Sequence, residues 1–600
     1  MNDKADKIKK IPYGVADYEK ILLEHYYYID KTPYLPVVEE AGDYLFFIRP
    51  RRFGKSLFLS TMETYYDILK KDRFDLFYKG TYIHQHPTGD KNKYLILKFN
   101  FSAVDPRHQF IESSFLNNVR VITDSFLFKY TAQLAEPHRE KLQERLDEIG
   151  SAADILLNVT RLCKISQQKI YIIIDEYDNF ANTILSTTGS EAYGNLTRGE
   201  GFFRAFFNVL KDGTSGSGAP ISRLFITGVS PITMDDVTSG FNIGKNVSLL
   251  PRFNPMLGFT ENDVIEIIEY YRQKGMIQHD TRYLLKIMTA WYGNYCFSED
   301  DNTKLYNPDM VLYFVDNYLM EKKLPKDLID RNVSVDYGKL RHLILIDKGD
   351  IGRGDGNKCT NGNFHRLKEI IQNGQTSSEL VKGFPLEQLT DTNNFTSLLF
   401  YFGLLTIRGP EKDKLLLTIP NETVKRLYYS YIHEAYRETH IFDIDLSRYA
   451  DLMTGMAYDG QWEPLIDFIT SRMRESMSLR DLITGEKSIQ AFLNVYLGLS
   501  QLYIIHAEKE LDKGYADIVM EPFLARYEGM KYSYLMEIKY LNAGIKPVDS
   551  RVQQLRTKAG DQLKHYSIDK KFKKTIGKTT LIKLVLVFSG HELIYLGKVE

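Results

Sequence analysis

A strand that turns into a helix through Gly-Lys-Ser leaves few folds open to a chain, and residues 46–60 have that layout. The apolar run Phe46-Phe47-Ile48 breaks at Arg49-Pro50-Arg51-Arg52-Phe53, and Gly54-Lys55-Ser56 opens the helical pattern Leu57-Phe58-Leu59-Ser60. Such a turn presents backbone N–H groups and a helix N-terminus to an anion, the arrangement of a phosphate-binding P-loop. In that role Arg52, Phe53, Gly54, Lys55, Ser56 and Leu57 form the cradle. Lys55 would reach the β- and γ-phosphates of ATP, and Ser56 would ligate Mg²⁺. The match to G-x-x-x-x-G-K-[ST] is incomplete, because Arg49 stands where the first glycine belongs.

A partner for this loop lies about 120 residues on, in Lys169-Ile170-Tyr171-Ile172-Ile173-Ile174-Asp175-Glu176-Tyr177. A continuous apolar run reads as a strand buried on both faces of a parallel sheet. Acids at its C-terminal end sit where α/β sheets place ligands. Asp175 is expected to hold Mg²⁺, directly or through water, and Glu176 to polarise the attacking water. An exposed acidic turn after a core strand is the competing reading, and the upstream loop weighs against it. A further buried strand, Arg223 to Ser230, ends in small polar residues, so Thr227 or Ser230 is a candidate γ-phosphate sensor, with strand capping the alternative. Tyr13, Gly14 and Val15 are candidates for covering the base, and Arg252 for an arginine sensor. The segment from Ile184 to Gly201 and that from Lys348 to Asn363 read as loops.

The whole chain numbers 600 residues, enough for three or four domains by length alone. Apolar content of 43% and charged content of 26% are those of a globular protein, and a net charge of −1 provides no global field for a polyanion. The three cysteines, Cys163, Cys296 and Cys359, form neither a disulfide framework nor a zinc spacing, which fits a reducing cytoplasm. Nowhere do 18 apolar residues run together, so no membrane span is expected, and the polar, lysine-rich start suggests no signal peptide. The expected architecture is a P-loop domain over 1–265, a mostly helical middle region over 266–444 and a separate α/β domain over 445–600. In the middle, Thr396 to Ile407, a turn at Gly409-Pro410 and Leu415 to Pro420 suggest a helix and hairpin compatible with a winged helix.

The last domain carries a second set of acids. Ser488 to His506 reads as a long apolar helix, and Ala507 to Met520 as two short strands. Tyr532 to Tyr540 reads as a strand, so Glu537 and Lys539, two apart, project to one face. With Asp517 they offer two carboxylates for Mg²⁺ and a lysine to orient a water or stabilise the transition state. From Lys546 to Lys583 eleven Lys/Arg stand against three acids, a local basic face of the kind that follows a phosphate backbone. A surface salt bridge on an edge strand and a solvated lysine run are the plain alternatives.

These motifs resemble a known family. Arg49-Pro50-Arg51-Arg52-Phe53-Gly54-Lys55-Ser56-Leu57, with Ile11-Pro12-Tyr13-Gly14, Phe225-Ile226-Thr227-Gly228-Val229-Ser230 and Leu257-Gly258-Phe259-Thr260, is similar to the bacterial AAA-ATPase-like family. Its members often carry a PD-(D/E)XK nuclease-like domain at the C-terminus. Gly514-Tyr515-Ala516-Asp517 and Glu537-Ile538-Lys539 resemble that domain's D…E-x-K set, Glu486 its first-helix acid, and Gln562 with Tyr566 its helical Gln-x-x-x-Tyr. The resemblance implies an α/β fold: an AAA-like P-loop NTPase domain, a helical, winged-helix-like lid and a nuclease-like domain. It implies ATP and Mg²⁺ as cofactors, a nucleic-acid partner, DNA first, and catalytic roles for Glu176, Asp517, Glu537, Lys539 and Gln562. The rival reading is a nucleotide-dependent switch whose nuclease-like domain binds nucleic acid or protein without cleaving. A P-loop kinase is weaker, since no second substrate pocket is apparent. Oligomeric state and strandedness of the substrate stay open.

Overall fold

In a computed structural model of the protein the chain forms two units, residues 1–348 with 377–421, and residues 349–376 with 422–600. The structure describes residues 7–105, 107, 109–179, 201–231, 243–330, 332–333, 362–385, 388, 391–438, 442–475, 483, 485–511, 514–542 and 549–600. The expected loop at Ile184 to Gly201 and the stretch from Lys348 to Asn363 therefore lie almost wholly outside the described residues, as does Lys546.

The first unit is built on a sheet of five parallel strands in the order β2-β3-β4-β1-β5. They are β1 (Tyr44–Ile48), β2 (Leu95–Asn100), β3 (Ile170–Asp175), β4 (Ile221–Gly228) and the short β5 (Lys245–Asn246). Every residue of β3 is buried, which is why its sequence is unbroken Ile and Tyr up to the aspartate. Helix α1 (Lys55–Tyr66) follows β1 directly, while α2 (Ile111–Lys129) and α3 (Ala152–Ile165) lie between β2 and β3. Because β4 lies between β1 and β3, the loop after β1 and the acids after β3 meet across its C-terminal end.

The remainder of this unit is mostly helical, with α4 (Glu261–Gln273), α5 (Thr281–Tyr292) and α6 (Pro308–Glu321) in succession. The first two begin at side-chain caps, Thr260 with Asp263 in a capping box and Asp280. Helix α7 (Thr392–Tyr401) precedes a hairpin of β6 (Thr406–Glu411) and β7 (Lys414–Thr418). The turn does not fall at Gly409-Pro410. It falls at Lys412, in the left-handed region at φ 57°, and Pro410 lies within β6, an edge strand where a missing N–H breaks no ladder.

The second unit carries a mixed five-stranded sheet in the order β12-β11-β10-β9-β8. Its strands are β8 (Tyr503–Leu511), β9 (Gly514–Pro522), β10 (Tyr532–Leu541), β11 (Thr580–Ser589) and β12 (Glu592–Val599). Only β10 and β11 pair in parallel, and such a pair needs a crossover. Helices α8 (Asp549–Tyr566) and α9 (Lys570–Ile576) form it, packing Leu563, Tyr566 and Phe572 onto Val519, Leu535, Val585 and Val587. On the opposite face the Tyr534 hydroxyl donates to the Met456 carbonyl at 2.7 Å. Ahead of the sheet, the helix Glu486–Gly498 is shorter than its apolar sequence suggests. Tyr503 to His506 belong to β8, where Ile504 and Ile505 pair with Glu521 and Met520. Sheet pairing of two β-branched residues outweighs continuation of the helix.

Candidate functional site

The loop after β1 is shaped by two residues in the left-handed region, Arg52 at φ 66° and Gly54 at φ 93°, the latter capping α1. Arg49 is only 1% exposed. Its guanidinium donates to the carbonyls of Ser248 at 2.6 Å, Phe253 at 2.9 Å and Ile48 at 3.2 Å. It also lies 4.5 Å and 4.4 Å from the ring centres of Phe47 and Phe297. Burial pushes it down to about 9. The arginine in the glycine position therefore pins the loop from behind. Phe53 does the same from the side, edge-on to Tyr295 and Phe297 at 5.0 and 5.3 Å.

Lys55 is 7% exposed, and its ammonium donates to the carbonyls of Arg49 and Pro50, each at 3.0 Å. Burial lowers its pKa, and the carboxylates of Asp175, Glu176 and Asp178 oppose that. The Ser56 hydroxyl donates to Asp175 Oδ2 at 2.7 Å, while Asp175 Oδ1 is buried with no protein donor. Glu176 sits at φ 51°, and burial raises its carboxyl against the pull of Lys55. Lys55, Ser56 and Glu176 border a cavity of about 570 Å³, with Asp175 behind Ser56 and not on its wall. Its walls include residues 51–57 with Glu176 and Asn179, Pro12 with Gly14 to Ala16, Tyr27 to Ile29, and Leu257 to Phe259, whereas Tyr13 is not among them and its hydroxyl donates to Asp330.

Ser230 and Thr227 do not line that cavity. Ser230 is buried, with its N–H donating to Asp178 Oδ2, and the Thr227 hydroxyl donates to the Phe47 carbonyl at 2.7 Å. Arg252 is 62% exposed and pairs with Glu40 on the surface. Besides Arg52, named above as part of the cradle, residues not singled out from the sequence meet here. Asp178 accepts the N–H groups of Val229 and Ser230 and so ties the end of β3 to that of β4. Arg51 donates to Asn179 Oδ1 at 3.1 Å, and Arg52 pairs with Asp309 at 2.8 Å. Proximity to Lys55 or to Asp175-Glu176 was the only sequence signal for Arg51, Asp178 and Asn179, and Asp309 had none.

In the second unit Glu537 and Lys539 share one face of β10. Lys539 Nζ lies 2.8 Å from Glu537 Oε1, and Glu537 Oε2 is buried without a protein donor. Burial alone would lower the Lys539 pKa, but the Glu537 carboxylate outweighs it and the net shift is upward. On the neighbouring strand, Asp517 Oδ2 accepts the Ile538 N–H at 2.7 Å, which fixes the carboxylate beside Glu537. Burial and then repulsion by Glu537 push Asp517 up to about 7. Gln490 donates to the Asp517 carbonyl at 2.6 Å, and the Glu486 charge acts on Asp517, Glu537 and Lys539 alike. Gln562 reaches only the Tyr566 hydroxyl, at 3.4 Å, and its Oε1 is buried without a partner.

Among the described residues no group of three or more His, Cys, Asp or Glu side chains is arranged to hold a metal ion. The Asp517–Glu537 pair nonetheless fits a hard divalent cation. Mg²⁺ takes one or two carboxylates and completes its shell with water and substrate oxygens, and one buried carboxylate oxygen here has no protein partner. In the same unit, α8 carries Arg551, Arg556, Lys558 and Lys564, and α9 carries Lys570, Lys571, Lys573 and Lys574. Of the acids in this stretch, Asp569 caps α9 through the Phe572 N–H. Burial, Lys564 and Lys598 together lower the pKa of Lys583, the mark of a clustered basic face. No helix among the described residues is long and apolar enough to cross a membrane.

The comparisons with known proteins follow this division. An uncharacterized protein in the vnfD 5′ region of Azotobacter chroococcum mcd 1 is 27% identical over 335 residues, 54% of this chain. The alignment spans 56% of that protein's length. Residues 12–238 match the family described as Predicted AAA-ATPase, and residues 484–597 match the PD-(D/E)XK nuclease superfamily. The chain thus joins an N-terminal AAA-ATPase-like domain to a C-terminal PD-(D/E)XK nuclease-like domain.

Proposed function

We propose that this protein binds and hydrolyses ATP in its first unit and cleaves nucleic-acid phosphodiesters, DNA in the first instance, in its second. One observation carries the reading. Each unit holds a buried carboxylate beside a lysine, with one oxygen that no protein donor satisfies: Asp175 Oδ1 and Glu537 Oε2. Such an oxygen is costly unless a cation meets it. In the first unit Lys55 exchanges the loop carbonyls for the β- and γ-phosphates, Ser56 and Asp175 hold Mg²⁺, and Glu176 orients the attacking water. The raised pKa of Glu176 makes it a better proton acceptor than a solvated carboxylate.

In the second unit Asp517 and Glu537 hold Mg²⁺, which when bound stabilises charge on the phosphate and lowers the pKa of a water. Lys539 positions the nucleophile, and Gln562, on α8 facing the sheet, adds a polar contact. The basic residues of α8 and α9 bind the phosphate backbone without reading sequence. The cysteine content fits a cytoplasmic setting. Control of cleavage by nucleotide state is part of the proposal.

The test is cleavage of plasmid, linear duplex, single-stranded DNA and RNA with Mg²⁺ or Mn²⁺, with and without ATP. Cleavage lost in Glu537→Ala and altered by Lys55→Ala is the expected result. Cleavage indifferent to Lys55→Ala removes the nucleotide control. A second reading, a nucleotide-dependent switch that grips nucleic acid or protein without cutting, draws support from the Glu537–Lys539 ion pair, which occupies one metal-facing oxygen. No cleavage on any substrate, with ATP binding intact, would select it.

A further inference from the structure

The ladder that carries Asp517 is interrupted at that residue. In the register of β9 with β8, Ala516 pairs with Lys509 and Ile518 with Ala507, while Asp517 and Glu508 between them form no ladder pair. Glu508 stands in the left-handed region at φ 47°, outside strand geometry. On its other edge β9 meets β10 only from Ile518 onward, opposite Met536. Two side-chain hydrogen bonds hold Asp517 at this gap. Its carboxylate accepts the Ile538 N–H at 2.7 Å, and its carbonyl accepts the Gln490 amide at 2.6 Å. Gln490 is 5% exposed and stands on the helix Glu486–Gly498 among Ile489, Ala491, Phe492 and Leu493, all buried. An amide buried there is costly unless hydrogen-bonded, and the bond it makes goes to the main chain of Asp517. Gln490 follows Glu486 by four residues, so the two share one face of the helix. The Glu486 charge acts on Asp517, Glu537 and Lys539, which marks that face as the one turned toward the acid pair.

We infer that Gln490 is a positioning residue for the cation site: by fastening the Asp517 main chain to the helix Glu486–Gly498, it fixes where the Asp517 carboxylate stands beside Glu537. The inference rests on the reading of Asp517 and Glu537 as the carboxylates that hold Mg²⁺. Gln490 acts through Asp517 and ligates nothing itself. Mg²⁺ demands near-octahedral geometry, so its affinity falls when a carboxylate is free to shift. With the amide gone, the Ile538 N–H still holds one carboxylate oxygen, but the main chain that carries it is unfastened on the helix side. Outer-shell partners of metal ligands are worth roughly 10- to 100-fold in affinity or activity. A tether on the carbonyl, one step further back, belongs at the lower end of that range. A side chain that only joined the helix to the sheet would change stability and leave the affinity for metal alone.

The experiment uses the full chain without nucleotide, as wild type, Gln490→Met and Gln490→His. Methionine keeps the length and removes the donor, while histidine keeps an N–H at similar reach. Calorimetry with Mn²⁺ reads the affinity, with Asp517→Asn subtracting any other site, and melting without metal reads stability. In Gln490→Met the affinity is expected to fall roughly tenfold, and Gln490→His is expected to recover most of that loss. Duplex cleavage by Gln490→Met is expected to fall in step at low Mn²⁺ and to recover as Mn²⁺ is raised, which a folding defect would not allow. Wild-type affinity in Gln490→Met would overturn the inference, whatever its melting temperature. So would an equal loss in Gln490→His, which would assign the effect to packing and not to the donor. If wild type and Asp517→Asn bind Mn²⁺ alike, the reading of this pair as a cation site falls, and the inference with it.

Discussion

Divalent-cation binding at the Asp517–Glu537 pair should be coupled to loss of a proton near neutral pH. The ion and the proton compete for one carboxylate, because Asp517 is pushed up to about 7 by burial and by the Glu537 charge. With that value the apparent affinity is roughly tenfold weaker at pH 6 than at pH 8, and binding at pH 7 releases about half a proton. The stability of the metal-free protein runs the opposite way with pH. A carboxyl whose folded pKa is raised adds stability below its unfolded pKa, and that contribution is lost as pH rises through about 7. Calorimetry of Mn²⁺ binding to the full chain without nucleotide, in buffers of different ionisation enthalpy, reads the proton directly, and Asp517→Asn subtracts any other site. In Glu537→Gln that repulsion is gone and burial, with the smaller push of Glu486, still holds Asp517 up, so the midpoint should move to lower pH. Affinity that is flat from pH 6 to pH 8, or a midpoint untouched by Glu537→Gln, would refute the electrostatic account of this pair.

Other expectations follow from single contacts. Arg49→Gly, which restores the missing loop glycine, should destabilise the protein by about 3 kcal/mol, since hydrogen bonds to three backbone carbonyls disappear with the charge that made them. Urea titration measures it, and unchanged stability would mean the buried guanidinium is only tolerated. In Gly514→Ala the new Cβ would lie 2.5 Å from the Tyr566 ring, and overpacking of this kind should cost about 1–3 kcal/mol. Thermal melts should show the loss, and in a Tyr566→Ala background, itself destabilised by the cavity, Gly514→Ala should cost little more. Lys564→Ala with Lys583→Ala should weaken binding to duplex DNA alike for unrelated sequences, and each should reduce the salt slope by about 0.9. A slope unchanged in fluorescence anisotropy titrations would take the basic face out of the interface.

Part of this was legible in the chain because it depends on local geometry. Strand periodicity places Glu537 and Lys539 on one face whatever surrounds them, and they lie 2.8 Å apart. A run as apolar as Ile170 to Ile174 has to be a strand buried on both faces. The Gly54-Lys55-Ser56 turn announced the start of a helix in the same way, and Gly54 caps α1 in the left-handed region. Where local preference competes with pairing, the sequence misled. The apolar stretch after Glu486 continued as a helix by pattern, yet Ile504 and Ile505 are taken into β8 by partners on β9. Likewise Gly409-Pro410 looked like the turn, and the edge position of β6 allows it to be strand.

The sequence by itself therefore pointed to an α/β fold toward each end of the chain and to the short segments that carry their acids and lysines, since these follow from spacing along one strand or one turn. Tertiary structure decided which charges those groups feel. Arg49 became a buried pin because Ser248 and Phe253, some 200 residues away, supply carbonyls to it. Asp178 joined the site because the N–H groups of Val229 and Ser230 converge on it from β4. The carboxyl of Asp517 is pushed up to about 7 by burial and by the charge of Glu537 on the neighbouring strand, and Glu537, buried in the sheet, keeps one oxygen with no protein donor. Burial and Coulomb interaction act through space, and no spacing along the chain encodes them.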